Sequence, residues 1–96
     1  MKIGRVINNI WATRKEESLV GLKLMIVQFL DAANEPTTEI VVAADFIGAG
    51  IGEKVLVAEG SSARQMGGLE HSPVDAVIVG IIDEEKKLTD KEKDHE

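Results

Sequence analysis

The sequence has no cysteine and no tyrosine, only three aromatic rings (Trp11, Phe29 and Phe46) and two histidines, and it is short of positive charge. Without cysteine there is neither a disulfide framework nor a thiolate metal site, which fits a reducing compartment. His71 and His95 lie far apart and neither has a partner at i, i+4 spacing, so no metal site and no cofactor are expected. Barrels that bind single-stranded nucleic acid stack bases on exposed rings in a basic groove; few rings and a net charge of -6 disfavour that function. The same charge argues against sequence-independent binding to duplexes or to anionic lipid. Long apolar runs are also missing: the longest, around Ala76 to Ile82, is far short of a membrane span. Met1-Lys2-Ile3-Gly4-Arg5 lacks the apolar core of a signal peptide, and the chain reads as soluble and cytoplasmic.

What is present is an aliphatic, β-leaning core in a 96-residue chain, enough for one small domain that oligomerisation would help to stabilise. Lys2 to Ala12 reads as a first strand with an irregularity at Asn8-Asn9. Leu22 to Asp31 is the clearest strand, with Leu22, Leu24, Ile26 and Leu30 on one face and Met25, Val27 and Phe29 on the other. Because both faces are apolar, the second face must be covered, either by the same chain or by a neighbouring subunit. Asp31 to Pro36 is a turn or hairpin connection that lacks the glycine expected at such a turn, although Asn34 tolerates positive φ, and Pro36 is expected to block strand continuation. Glu39 to Ala44, Lys54 to Ala58 and Val74 to Asp83 complete five strands, with Gly80 marking a bend or close contact in the last. Gln65 to Pro73 reads as a loop. The architecture expected is all-β: a small five-stranded barrel of the oligonucleotide/oligosaccharide-binding (OB) type over residues 1–83. Residues 84–96 form a charged tail, a solvated end that is either frayed or helical. From Asp83 onward four lysines face seven acids, half of the net charge.

The strands are organised around Asp45 to Arg64, where Gly48, Gly50 and Gly52 alternate with Ala49 and Ile51. Nucleotide-binding motifs fail here. A P-loop register puts Glu53 at its second glycine and Val55 at its hydroxyl, and a dinucleotide fingerprint puts Glu53 where it would repel pyrophosphate. Gly60-Ser61-Ser62-Ala63 is no hydrolase elbow, because Arg64 stands at the final glycine. Asp45 and Glu53 flank the turn and could be imagined as an acid/base pair, but carboxylates beside tight turns more often accept bonds from backbone N–H groups. Arg64 suits a bidentate pair with such a carboxylate, in its own chain or the next. Small residues let neighbouring backbones approach, so the segment reads as a contact surface.

The run Val42-Ala43-x-Asp45-x-Ile47-Gly48-Ala49-Gly50-x-Gly52-Glu53-x-Val55-Leu56-Val57, followed by Gly60 to Arg64 and by Pro73-x-Asp75-Ala76-x-x-Val79-Gly80-Ile81-Ile82-Asp83, resembles the EutN/CcmL family of bacterial microcompartment vertex proteins. Gly4-x-Val6, Thr13-x-Lys15 and Leu19-x-Gly21-x-Lys23-Leu24 continue the resemblance to the start of the chain. It implies a five-stranded barrel that assembles as a homo-pentamer, a structural and non-enzymatic role at the vertices of a polyhedral shell, and hexameric shell proteins as partners, with neither nucleic acid nor membrane involved. The ring would use a heterologous interface. The segments expected at that interface or at the axis are Asp45, Gly48, Ala49, Gly50, Gly52 and Glu53, with Gly60, Ser61, Ser62, Ala63 and Arg64. The competing reading is a small ligand- or nucleic-acid-binding barrel, monomeric or dimeric, with salt-dependent oligonucleotide affinity. An enzyme using Asp45 or Glu53 ranks behind both, since no nucleophile, metal ligand set or positioned histidine accompanies them.

Overall fold

Alternating aliphatic residues draw the chain into five strands, and in the computed structural model, which describes residues 1–10, 21–60 and 74–83, these close on themselves. Strand β1 is Lys2–Asn9, β2 Leu24–Leu30, β3 Pro36–Asp45, β4 Lys54–Glu59 and β5 Ala76–Ile82. Around the barrel the order is β1-β2-β3-β5-β4, with every pairing antiparallel except the short parallel contact of β3 with β5 at Ala44 and Asp45. This is the OB-type barrel expected, and closure leaves little sheet edge open. Among the described residues no helix is long and apolar enough to cross a membrane.

Pro36 does not stop β3; it opens it. Proline is tolerated at the first position of a strand, and the strand therefore begins three residues earlier than Glu39. The preceding turn is held by Asp31, whose Oδ1 accepts the N–H groups of Ala33 and Glu35, each at 2.9 Å. Asn34 carries φ 68°, taking the left-handed position without a glycine.

Three irregularities decide which side chains enter the barrel. On β1 the register slips between Val6 and Asn8, one residue ahead of the asparagine pair, so that Ile7 is extra. Before the slip Gly4 and Val6 face the lumen; after it Asn8 pairs with outward-facing Ile26, and Ile10 packs outside with Leu24. On β3 the slip accommodates Thr37 to Glu39, and Thr37 fills the gap in the ladder by donating its hydroxyl to the Phe29 carbonyl at 2.9 Å. On β5 the extra residue is Val79, next to Gly80, where a bend was expected.

The lumen is full. Val6, Met25, Val27, Phe29, Ala43, Val55, Val57 and Ile78 meet in it, each almost wholly buried. A second apolar layer lies on the outer wall, where the cross-strand row Leu24, Ala44, Val77 and Ala58 is buried with Val74. Both faces of β2 are thus apolar; among the described residues the outer one is buried at its Leu24 end, while Ile26, Gln28 and Leu30 stay half-buried. At one mouth Lys2 spans the opening, its ammonium 3.2 Å from Glu39, 3.6 Å from Glu59 and 4.9 Å from the centre of the Phe29 ring.

Gly4 is where the lumen has no room. A Cβ there would run into the Val27 side chain and lie 3.0 Å from the Gln28 carbonyl oxygen. Gly4→Ala is expected to cost about 1–3 kcal/mol by overpacking, read as a lower urea midpoint at fixed protein concentration.

Hydrogen bonding to Glu39, with the charges of Glu39 and Glu59 adding to it, holds the Lys2 ammonium above the ordinary lysine value of 10.5, against some desolvation. Its contribution is therefore complete below pH 10.5 and lost as pH rises through the higher folded-state value. Thermal midpoints of wild type and Lys2→Met should differ at neutral pH and converge in strong alkali.

Candidate functional site

At the mouth opposite Lys2 the chain leaves β3 and enters the glycine-rich turn, and the last residue of the strand, Asp45, organises everything that follows. Its side chain is fully buried, which is costly for a carboxylate unless every oxygen is satisfied. Oδ1 accepts the N–H groups of Ile47 and Gly48, both at 3.1 Å, and Oδ2 accepts that of Ala49 at 2.9 Å. The Lys23 ammonium, arriving from the segment before β2, lies 3.3 Å from Oδ2. Three backbone donors and one cation converge on one anion.

Glu53 does the same on a smaller scale. Its Oε1 accepts the Gly50 N–H at 2.6 Å, and its own N–H bonds the Gly50 carbonyl at 3.1 Å. Gly48 and Gly52 take φ of 84° and 89°, a region that L side chains rarely enter, whereas Gly50 does not need a positive φ. A Cβ on Gly50 would press on the Glu53 carboxylate at 3.2 Å, so this glycine makes room for its own turn's cap. The far limb is tied to β1: Gly52 donates to the Val6 carbonyl at 2.8 Å, Val6 donates to the Glu53 carbonyl at 3.0 Å, and Arg5 Nη1 donates to the Gly52 carbonyl at 2.9 Å.

The turn faces two ways. Ala49 drops into the lumen and is 1% exposed, plugging this end of the barrel, while Phe46, Ile47 and Ile51 point outward at 51%, 47% and 59% exposure. Three large apolar side chains in six residues are thus held in solvent by a polar frame beneath them. The carboxylates of Asp45 and Glu53 serve as hydrogen-bond acceptors for the backbone, as their position beside a tight turn implied.

The structure therefore brings together Asp45, Gly48, Ala49, Gly50, Gly52 and Glu53. Gly60 stands apart, with φ 76° and its N–H on the Asp75 carbonyl at 2.8 Å. Ser61, Ser62, Ala63 and Arg64, the loop to Pro73, both histidines and the tail lie outside the described residues. Sequence reasoning missed Lys23 and Arg5 as parts of the site, since each reaches the turn from a distant strand or its approach. The outward set Phe46, Ile47 and Ile51 was legible only as apolar residues beside glycines; which of them face solvent depends on the Asp45 frame.

Two further patches lie on the barrel wall. Ile40 and Val42 on β3 are 54% and 44% exposed beside half-buried Ile26. Ile3, exposed on β1, stands next to half-buried Leu56 on β4 and then Gly80 on β5. Since β2 separates β3 from β1 and β5 separates it from β4, these patches face away from each other. With the lumen filled by side chains, a barrel-interior ligand site has no space, and the outer surface carries what is unusual about this molecule.

The model of the family described as ethanolamine utilisation protein EutN/carboxysome matches residues 1–83. The carboxysome shell vertex protein CcmL of Gloeobacter violaceus is 49% identical over 83 residues, 86% of this chain and 83% of that protein, and its solved structure superposes with a TM-score of 0.80. The pentameric microcompartment shell protein GrpN of Rhodospirillum rubrum superposes with a TM-score of 0.77 at 46% identity, covering 86% of this chain and 94% of that one. The shell vertex protein EutN of Salmonella typhimurium is 45% identical over 84 residues, 88% of this chain and 85% of its own. With the barrel, the glycine-rich turn and the family match all in one register, the chain belongs to the EutN/CcmL family.

Proposed function

We propose that this protein is a structural subunit of a bacterial microcompartment shell, in the cytoplasm, and that five copies close into a ring at the shell's vertices. The observation that carries this is the pair of apolar wall patches facing away from each other on a barrel whose interior is already full. A monomer has no use for exposed Ile40 and Val42 on one side and Ile3 beside Leu56 on the other. A head-to-tail ring does, because a heterologous interface sets one patch of each subunit against a different patch of the next and closes when the rotation allows. Relatives named shell vertex proteins, and a pentameric shell protein among the superposable structures, support the same reading.

The role is one of shape. Hexameric shell proteins tile nearly flat layers, and a five-fold unit among them introduces the curvature that closes a polyhedron; hexameric shell proteins are accordingly the proposed partners. No step of this function calls for catalysis. The turn from Asp45 to Glu53, and the Gly60 to Arg64 segment, are proposed to lie at the subunit interface or around the ring axis. For the first of these, the support is its outward apolar set on a rigid frame; for the second, its small residues and terminal cation.

Light scattering and native mass spectrometry of the purified chain should give a discrete five-subunit species; a chain that stays monomeric at high concentration would overturn the proposal. Val42→Lys places a charge on the wall where the folded monomer tolerates it, at 44% exposure, and should abolish the five-subunit species while leaving the far-UV spectrum intact. Asp45→Ala removes the acceptor of three backbone N–H groups, while half-exposed Lys23 turns to solvent, and is expected to destabilise the fold by about 1–3 kcal/mol; an unchanged denaturation midpoint would show that the turn holds itself.

A further inference from the structure

Lys23 is bound to Asp45 twice. The Asp45 N–H donates to the Lys23 carbonyl at 2.8 Å, fixing the two residues side by side where the approach to β2 meets the end of β3. The Lys23 side chain then reaches over the turn, its ammonium 3.3 Å from Asp45 Oδ2 and 3.4 Å from the Ala49 carbonyl oxygen. Its side chain is half exposed, at 51%, while that of Asp45 is not exposed at all, so the lysine acts as a cover joining the buried anion to solvent. Asp45 alone organises the N–H groups of Ile47, Gly48 and Ala49; Lys23 ties that organised turn to the β2 side of the barrel and holds the carbonyl of Ala49, at the crest of the turn.

We infer that Lys23 is a positioning residue for assembly: it acts through Asp45 and Ala49 to keep Phe46, Ile47 and Ile51 in the one arrangement that docks on a neighbouring subunit. This rests on the reading of the turn as part of the assembly surface. Lys23 is not needed to form the barrel, because the lumen is filled by other residues and the Asp45–Lys23 main-chain bond does not depend on the side chain. Removing the ammonium therefore frees the turn without unfolding the sheet. The charge-assisted contact is of the strength that a backbone-exchange measurement resolves.

The test compares wild type, Lys23→Met and Lys23→Arg, all full-length. Amide hydrogen exchange at Ile47, Gly48 and Ala49 should quicken about tenfold in Lys23→Met, with β1, β2 and β4 unchanged. In a dilution series by native mass spectrometry the ring should come apart at about tenfold higher protein concentration, and Lys23→Arg should restore both readouts. Exchange that quickens with ring stability unchanged would overturn the positioning role, as would unchanged exchange, or Lys23→Arg as damaging as Lys23→Met. A wild-type chain that never forms a ring would instead overturn the assembly reading on which the inference rests, so the two failures are distinguishable.

Discussion

The buried carboxylate of Asp45 is the constraint on which the glycine-rich turn and its outward apolar set depend. A charge with no exposed surface is tolerated only if its acceptor capacity is filled, and here consecutive backbone amides and an ammonium fill it. That requirement dictates the path of the turn. Residues 47, 48 and 49 must present their N–H groups inward, which leaves Ala49 to seal the barrel and Ile47 to face out, with Phe46 and Ile51 to either side. The glycines serve this path in different ways: Gly48 and Gly52 by accepting positive φ, and Gly50 by leaving space for the Glu53 carboxylate.

The barrel itself is an exercise in phase. A strand shows alternate residues to its two faces, so each inserted residue exchanges inside for outside from that point on. The slip at Ile7 sends Ile10 to the outer wall, and the slip at Val79 lets Ile78 and Ile81 both pair with lumen-facing Val57 and Val55. The outcome is a small domain with two apolar surfaces. One is buried internally, and the other, among the described residues, is buried along the row from Leu24 to Ala58 and at Val74. What remains on the wall is the apolar surface that the proposed ring would use.

A function of this kind leaves little of the usual trace. Catalysis and cofactor binding gather polar groups whose chemistry is visible in residue type, whereas assembly by shape is carried by aliphatic side chains that differ from core residues only in where they point. Asp45 and Glu53 illustrate the contrast: as residue types they invite an acid/base reading, and their geometry makes them caps.

Much could be read from the linear chain. The five strands follow from local alternation and turn chemistry, which act over a few residues and so are written in order along the sequence. Five short strands with little helix suggest the barrel class, and the family register comes from the resemblance of the glycine-rich run and its flanking motifs. The two-sided apolarity of Leu22 to Asp31 already announced an outer face in need of cover. Other features needed the fold. Pro36 belongs to a strand because strand pairing, not local preference, decides where β3 begins. The pairing of Lys23 with Asp45, the tie of Arg5 to Gly52, and the placing of the Ile40 and Ile3 patches on opposite sides all join residues distant in the chain. Closure of the barrel brings them together, and no local periodicity records it.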